Sequence, residues 1–100
     1  METILIDSPV ANVANIARAL RACDATLRVT ADPAVIASAR QLVLPGVGSF
    51  VAAMRWLTEH AIDRAIHQAV AGGASLLGIC VGHQLLFDRS HEMGITPGLG

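Results

Sequence analysis

Four short, largely apolar runs constrain this chain most. They are Thr3-Ile4-Leu5-Ile6, Thr26-Leu27-Arg28-Val29, Gln41-Leu42-Val43-Leu44 and Ser75-Leu76-Leu77-Gly78-Ile79. Each is rich in branched residues and bounded by turn formers, which predicts a buried strand. The third is expected to stop at Pro45, which cannot donate to a ladder. Between the runs lie stretches of helical spacing. Asn12 is placed to cap a helix whose face is Val13, Ile16, Ala17 and Leu20. Asp32-Pro33 opens a short helix to about Ser38. Ser49 caps a helix from Phe50 to about Glu59, with Met54 and Leu57 inward. A further face, Ile62, Ala65, Ile66, Ala69 and Val70, ends at Gly72-Gly73. Val81 to about Phe87 reads as a last helix, and Met93 to Gly100 as loop. Strands that alternate with helices predict a parallel α/β sheet covered on both faces. In such sheets ligands sit beyond the carboxyl ends of the strands, so residues that directly follow strands are the informative ones.

One hundred residues suit a single small domain. The interior is rich and the polar coat thin: 53% of residues are hydrophobic, 15% are charged and mean hydropathy is +0.54. That balance resembles part of a larger buried sheet more than a free-standing small domain. The seven cationic residues are all arginine, they balance eight acids to a net charge of −1, and they form no basic run. Nucleic-acid and anionic-membrane binding therefore have no electrostatic footprint. Cys23 and Cys80 lie far apart without CxxC spacing. No zinc site, other metal site or disulfide scaffold is expected, and a reducing cytoplasm fits. The first residues lack the basic and apolar regions of a signal peptide. No apolar run approaches the roughly 18 residues of a membrane span.

Cys80 follows the fourth strand directly, inside Gly78-Ile79-Cys80-Val81-Gly82-His83-Gln84. A strand running into G-x-C-x-G and then a helix has the context of a nucleophile elbow. The glycines let neighbouring backbone pack close, and the thiol projects above the sheet at a helix start, which favours thiolate. The Val81 amide would face an oxyanion formed on an acyl carbon. The motif equally suits a buried core cysteine between packing glycines. Cys23, at a helix end with neither glycines nor a preceding strand, reads as packing or surface. Pro45-Gly46-Val47-Gly48 follows the third strand. If strands three and four are neighbours, this loop lies beside Cys80 and could add an oxyanion donor at Val47. Taken alone, it is a simple loop made flexible by glycine. Gln84 stands one helical turn after Cys80, within reach of a polar substrate near the sulfur.

A general base for this thiol is not evident. His83 is on the same helix, whereas a base is usually delivered from another segment and oriented by a third group. His91 sits in or near a loop, and His60 and His67 lie on helices, facing the surface. The residues contain no convincing Cys-His-acid set.

With these motifs in view, the chain resembles the class I (triad-type) glutamine amidotransferases. Among them it is most similar to the glutaminase subunits of imidazole glycerol phosphate synthase. The resemblance is carried by Asp7 and Asn12, by Leu42 to Phe50 with Ala53-Met54 and Leu57, by Gly78 to Phe87, and by Thr96-Pro97-Gly98-Leu99-Gly100. It implies a flavodoxin-like parallel sheet with helices on both faces. It implies that Cys80 attacks the side-chain amide of glutamine and forms a thioester, that Val81 and Val47 supply oxyanion amides, and that Gly46, Gly48 and Gln84 line the substrate site. No cofactor is implied. Ammonia would pass to a cyclase partner folded as a (β/α)8 barrel, in histidine biosynthesis.

Three departures qualify the resemblance. Between the matching Asp7 and Asn12 stand Ser8-Pro9-Val10-Ala11, where the family usually has an aromatic residue and two glycines; altered local packing or partner contact is expected. His83 occupies a position where a less polar residue is common. The family's chain is about twice as long and carries its catalytic His and Glu near its end. Residues 1–100 therefore read as the N-terminal part of one such domain, without its base, and with an open apolar sheet edge that favours association. The alternatives are a non-catalytic module that binds the cyclase, and another flavodoxin-like cysteine hydrolase.

Overall fold

The computed structural model describes residues 2–9, 12–23, 26–46, 49–87, 89–90 and 96–100. The elements run β1 (Glu2–Ile6), α1 (Val13–Ala22), β2 (Thr26–Thr30), α2 (Pro33–Ala37), β3 (Gln41–Gly46), α3 (Phe50–Glu59), α4 (Ile62–Ala71), β4 (Ser75–Cys80), α5 (Val81–Gln84), β5 (Arg89–Ser90) and β6 (Thr96–Pro97). Polar side chains start the helices where the sequence places them. The Asn12 side chain accepts from the Asn15 amide, Asp32 from Ala34 at 2.9 Å, and Ser49 from Ala52 at 3.3 Å. Gly72 closes α4 by donating to the Gln68 and Ala69 carbonyls, and Gly73 follows at φ 100°. The turn between α3 and α4 is different. It places Ala61, a residue with a Cβ, in the left-handed region at φ 59°.

The four main strands form one parallel sheet in the order β2-β1-β3-β4. This is the order of the first four strands of flavodoxin-like sheets. Strand handedness explains the layering. The step from β1 to β2 runs one way, while the steps from β2 to β3 and from β3 to β4 run the other way. Right-handed crossovers in opposite directions put their helices on opposite faces. Accordingly, α1 covers one face, packing Ala17 against Leu5 and Val43 with Val13, Ile16 and Leu20 around them. The other helices cover the second face, where Ile4, Ile6, Leu42 and Leu44 meet Ile36, Phe50, Leu57, Ile62, Ile66 and Leu85.

Several sequence expectations need correction. β3 continues through Pro45 to Gly46. The β1–β3 ladder ends at Leu5 and Val43, so by Pro45 one side of β3 is free and a missing N–H there breaks no bond to β1. Cys80 is the last residue of β4 rather than the residue after it. α5 is a single turn ending at Gln84, well short of Phe87; a glycine at its second position weakens an already short helix. The tail is not all loop: Thr96 and Pro97 pair antiparallel with Ser90 and Arg89, and Leu99 is buried. Val70, assigned to the inner face of α4, is 44% exposed.

β4 has no second neighbour among the described residues. Leu77, in mid-strand, is 55% exposed. Among the described residues, the apolar edge expected from the sequence is therefore open. No described helix is long and apolar enough to cross a membrane.

Candidate functional site

The site lies at the carboxyl ends of β3 and β4. These strands pair in register from Gln41 with Ser75 to Gly46 with Cys80. The condition attached to the Pro45–Gly48 loop is therefore met at its described end: Gly46 stands directly beside Cys80. Pro45 and Gly46 are both buried. Val47 and Gly48 lie outside the described residues, and α3 begins just beyond them with Ser49 as its cap. For Cys80, Val81 and His83 the description is of the backbone.

The chain turns from strand to helix with no residue between Cys80, which ends β4, and Val81, which opens α5. As the first helical residue, Val81 has an amide without an intrahelical acceptor. The turn is possible at this spot because of Gly82. A Cβ built on Gly82 would lie 2.8 Å from the Leu44 carbonyl carbon, 3.2 Å from that of Pro45, and closer still to the Leu44 oxygen. The start of α5 therefore rests directly on the backbone of β3, and only a residue without a side chain fits. The second glycine of G-x-C-x-G thus brings the turn after Cys80 onto the end of the neighbouring strand. Leu85 then enters the main core, 1% exposed, while Gln84 between them is exposed. Because α5 is one turn long, its dipole adds less to the thiol's environment than a longer helix would.

β1 reaches the same end of the sheet. Asp7 donates its amide to the Thr30 carbonyl at 2.9 Å, and Ser8 donates to Ile6 at 3.0 Å. Ser8, the first residue of the departing loop, is 4% exposed and is the one buried polar residue among those described. Altered packing was expected in this loop, and a buried serine hydroxyl is what Ser8 contributes; Val10 and Ala11 lie outside the described residues. Sequence patterning did not single out Ser8, because a lone serine after a strand looks like any turn former.

Among the described residues, His60, His67 and Cys23 are not brought together with Cys80. His60 is exposed, its Nδ1 lies 2.9 Å from the Trp56 carbonyl, and its ring is 5.3 Å from the Trp56 ring. His67 is exposed on α4. His91 lies outside the described residues. Cys23 is exposed at the end of α1. Among the described residues, no three His, Cys, Asp or Glu side chains gather as metal donors. A groove of about 510 Å3 lined by Arg40, Gln41, Gly72, Gly73 and Ser75 sits at the amino ends of β3 and β4. That is the opposite end of the sheet from the one where such folds bind ligands.

The sequence is similar to those of known proteins. The CobB/CobQ-like glutamine amidotransferase domain family matches residues 3–100. Imidazole glycerol phosphate synthase subunit HisH of Symbiobacterium thermophilum is 44% identical over 97 residues, covering 97% of this chain and 46% of that one. The protein of the same name from Salinibacter ruber is 43% identical over 98 residues, covering 98% and 45%. That from Streptococcus sanguinis is 46% identical over 97 residues, covering 97% and 47%. The chain spans about half the length of the curated relatives it matches.

Proposed function

The chain belongs to the family of CobB/CobQ-like glutamine amidotransferase domains, and on that premise we propose that residues 1–100 form the nucleophile-bearing N-terminal part of a glutaminase domain. The enzyme is the glutaminase subunit of an imidazole glycerol phosphate synthase. The observation that carries this reading is the register of Gly46 with Cys80, together with a helix that starts at the very next residue.

In this reading the Cys80 sulfur attacks the side-chain carboxamide carbon of glutamine. The carbonyl oxygen becomes an oxyanion, which the amides of Val81 and Val47 stabilise. The amide nitrogen takes up the proton lost from the thiol, and collapse of the intermediate expels it as ammonia and leaves a thioester. Water then cleaves the thioester to give glutamate and the free thiol. Gly46, Gly48 and Gln84 line the pocket for glutamine. None of the four histidines takes the role of base; His60 and His67 are exposed on the α3–α4 side, and the family's His and Glu match no position here. The ammonia goes to a cyclase partner with a (β/α)8 barrel, and the reaction runs in a cytoplasm where the thiol stays reduced.

The test uses a form extended to the relatives' full length and paired with the cyclase. Cys80→Ala abolishes glutamine-dependent synthesis and spares synthesis from free ammonia. Loss of both activities, or of neither, would count against the assignment.

A further inference from the structure

The nucleophile turn is held by very little of its own. α5 has four residues, too few to be stable as an isolated helix, and its second residue is glycine. Tertiary contacts must therefore set its position. Gly82 on the backbone of β3 fixes its amino end. Its other end meets the tail. Leu99 is 8% exposed and lies in the same core cluster as Leu85 and Phe50. The Leu99 amide donates to the Leu85 carbonyl at 2.8 Å, and the Gly100 amide donates to the Phe87 carbonyl at 3.1 Å. These carbonyls follow the last turn of α5, where a helix leaves acceptors without partners. Gly98 passes so close that a Cβ there would lie 3.0 Å from the Leu85 oxygen and 3.1 Å from the Phe50 ring, and closer still to the Phe87 oxygen.

We propose that Gly98 and Leu99 are positioning residues for the nucleophile: the tail clamps the carboxyl end of α5 and so sets where the Cys80–Val81 backbone stands relative to Gly46. The inference rests on the reading of Cys80 as nucleophile. Its physical basis is leverage. β3 and the tail grip a one-turn helix at its two ends, so releasing one end lets the helix tilt about the other. Val81, whose amide is assigned to the oxyanion, lies at the pivot end, one residue from Gly82. Catalytic geometry tolerates little of this, since a displacement of about 1 Å can lower a rate by about a hundredfold.

The experiment uses the form extended to the relatives' full length. Amide exchange is followed at residues 81–86, and alkylation by iodoacetamide is followed at Cys80 with the exposed Cys23 as internal reference. Gly98→Ala and Leu99→Ala are expected to speed exchange at 81–86 by about tenfold or more and to change the Cys80-to-Cys23 alkylation ratio. Amides of β1, β2 and α1 should keep their rates. Leu99→Met, which refills the same space, should restore both readouts. Leu99→Val, a milder truncation, keeps the question answerable if the other variants do not fold; a smaller acceleration confined to the end of α5 is expected. Unchanged exchange at 81–86, acceleration spread evenly over the sheet, or no rescue by Leu99→Met would overturn the proposal. None of these outcomes touches the Cys80→Ala test of the nucleophile, so the two readings fail separately.

Discussion

Gly82→Ala puts a methyl group into backbone that has nowhere to go. The added carbon would sit 2.8 Å from the Leu44 carbonyl carbon and 3.2 Å from that of Pro45. Both belong to β3, where they pair with Gly78 and Ile79 of β4, directly after the residues of β3 that pair with β1. A flexible side chain could move aside, but a central strand cannot. Relief requires α5 to lift off β3. Overpacking costs about 1–3 kcal/mol, and a clash with backbone rather than a movable side chain belongs in the upper part of that range, about 2–3 kcal/mol. Alanine recovers about 1 kcal/mol of helix propensity over glycine. The net expectation is a loss of about 1–2 kcal/mol, which in a domain of this size lowers the melting temperature by roughly 5–15 °C. Thermal unfolding followed by circular dichroism measures it. Gly72→Ala is the control. A Cβ there would meet only the Ala69 and Gln68 oxygens, at 3.4 and 3.6 Å, and φ is −82°. It should leave stability unchanged or raise it by up to about 1 kcal/mol. A Gly82→Ala protein as stable as the parent would refute the close seat of α5 on β3.

Ala61→Gly removes a left-handed strain of about 1–2 kcal/mol against an unfolded-state penalty of about 0.4–1 kcal/mol, so it should raise the melting temperature by a few degrees; a fall would show that the α3–α4 turn does not hold φ 59°. Leu77→Lys charges the free edge of β4 and should reduce self-association of the 100-residue chain in sedimentation velocity; equal association would place the sticky surface elsewhere. Glutaminase activity of the 100-residue chain should stay near background even with a cyclase added, and clear turnover lost in Cys80→Ser would show that a base is present after all.

Much of this layout could be read in the residues, because strands and helices announce themselves by different apolar periods. The α3 and α4 helices and the four main strands fall where their patterns put them, except that β3 and β4 run further at their carboxyl ends. What periodicity cannot supply is which strands become neighbours. The pairing of Gly46 with Cys80 was only a condition on the sequence and needed the β2-β1-β3-β4 order. The sequence does not show that β3 passes through Pro45, because a proline's effect depends on which side of its strand is already free. α5 was overextended because its apolar residues beyond Gln84 pack without helical geometry. The tail looked structureless, yet Gly98-Leu99-Gly100 alternates small residues with a buried leucine. Glycine at a close backbone approach was the available signal there. Val70 carried the right period on α4 but lies beyond the surface that the neighbouring elements cover. The family resemblance names its candidate site residues through motifs rather than through patterning.

The central claim is that Cys80 carries the acyl group of glutamine. The direct measurement is acid quenching of the extended form during turnover with glutamine, followed by mass analysis of its peptides. A γ-glutamyl thioester is expected on the peptide that contains Cys80 and none on the peptide that contains Cys23. An acyl group found on another residue, or turnover that survives in Cys80→Ala, would contradict it.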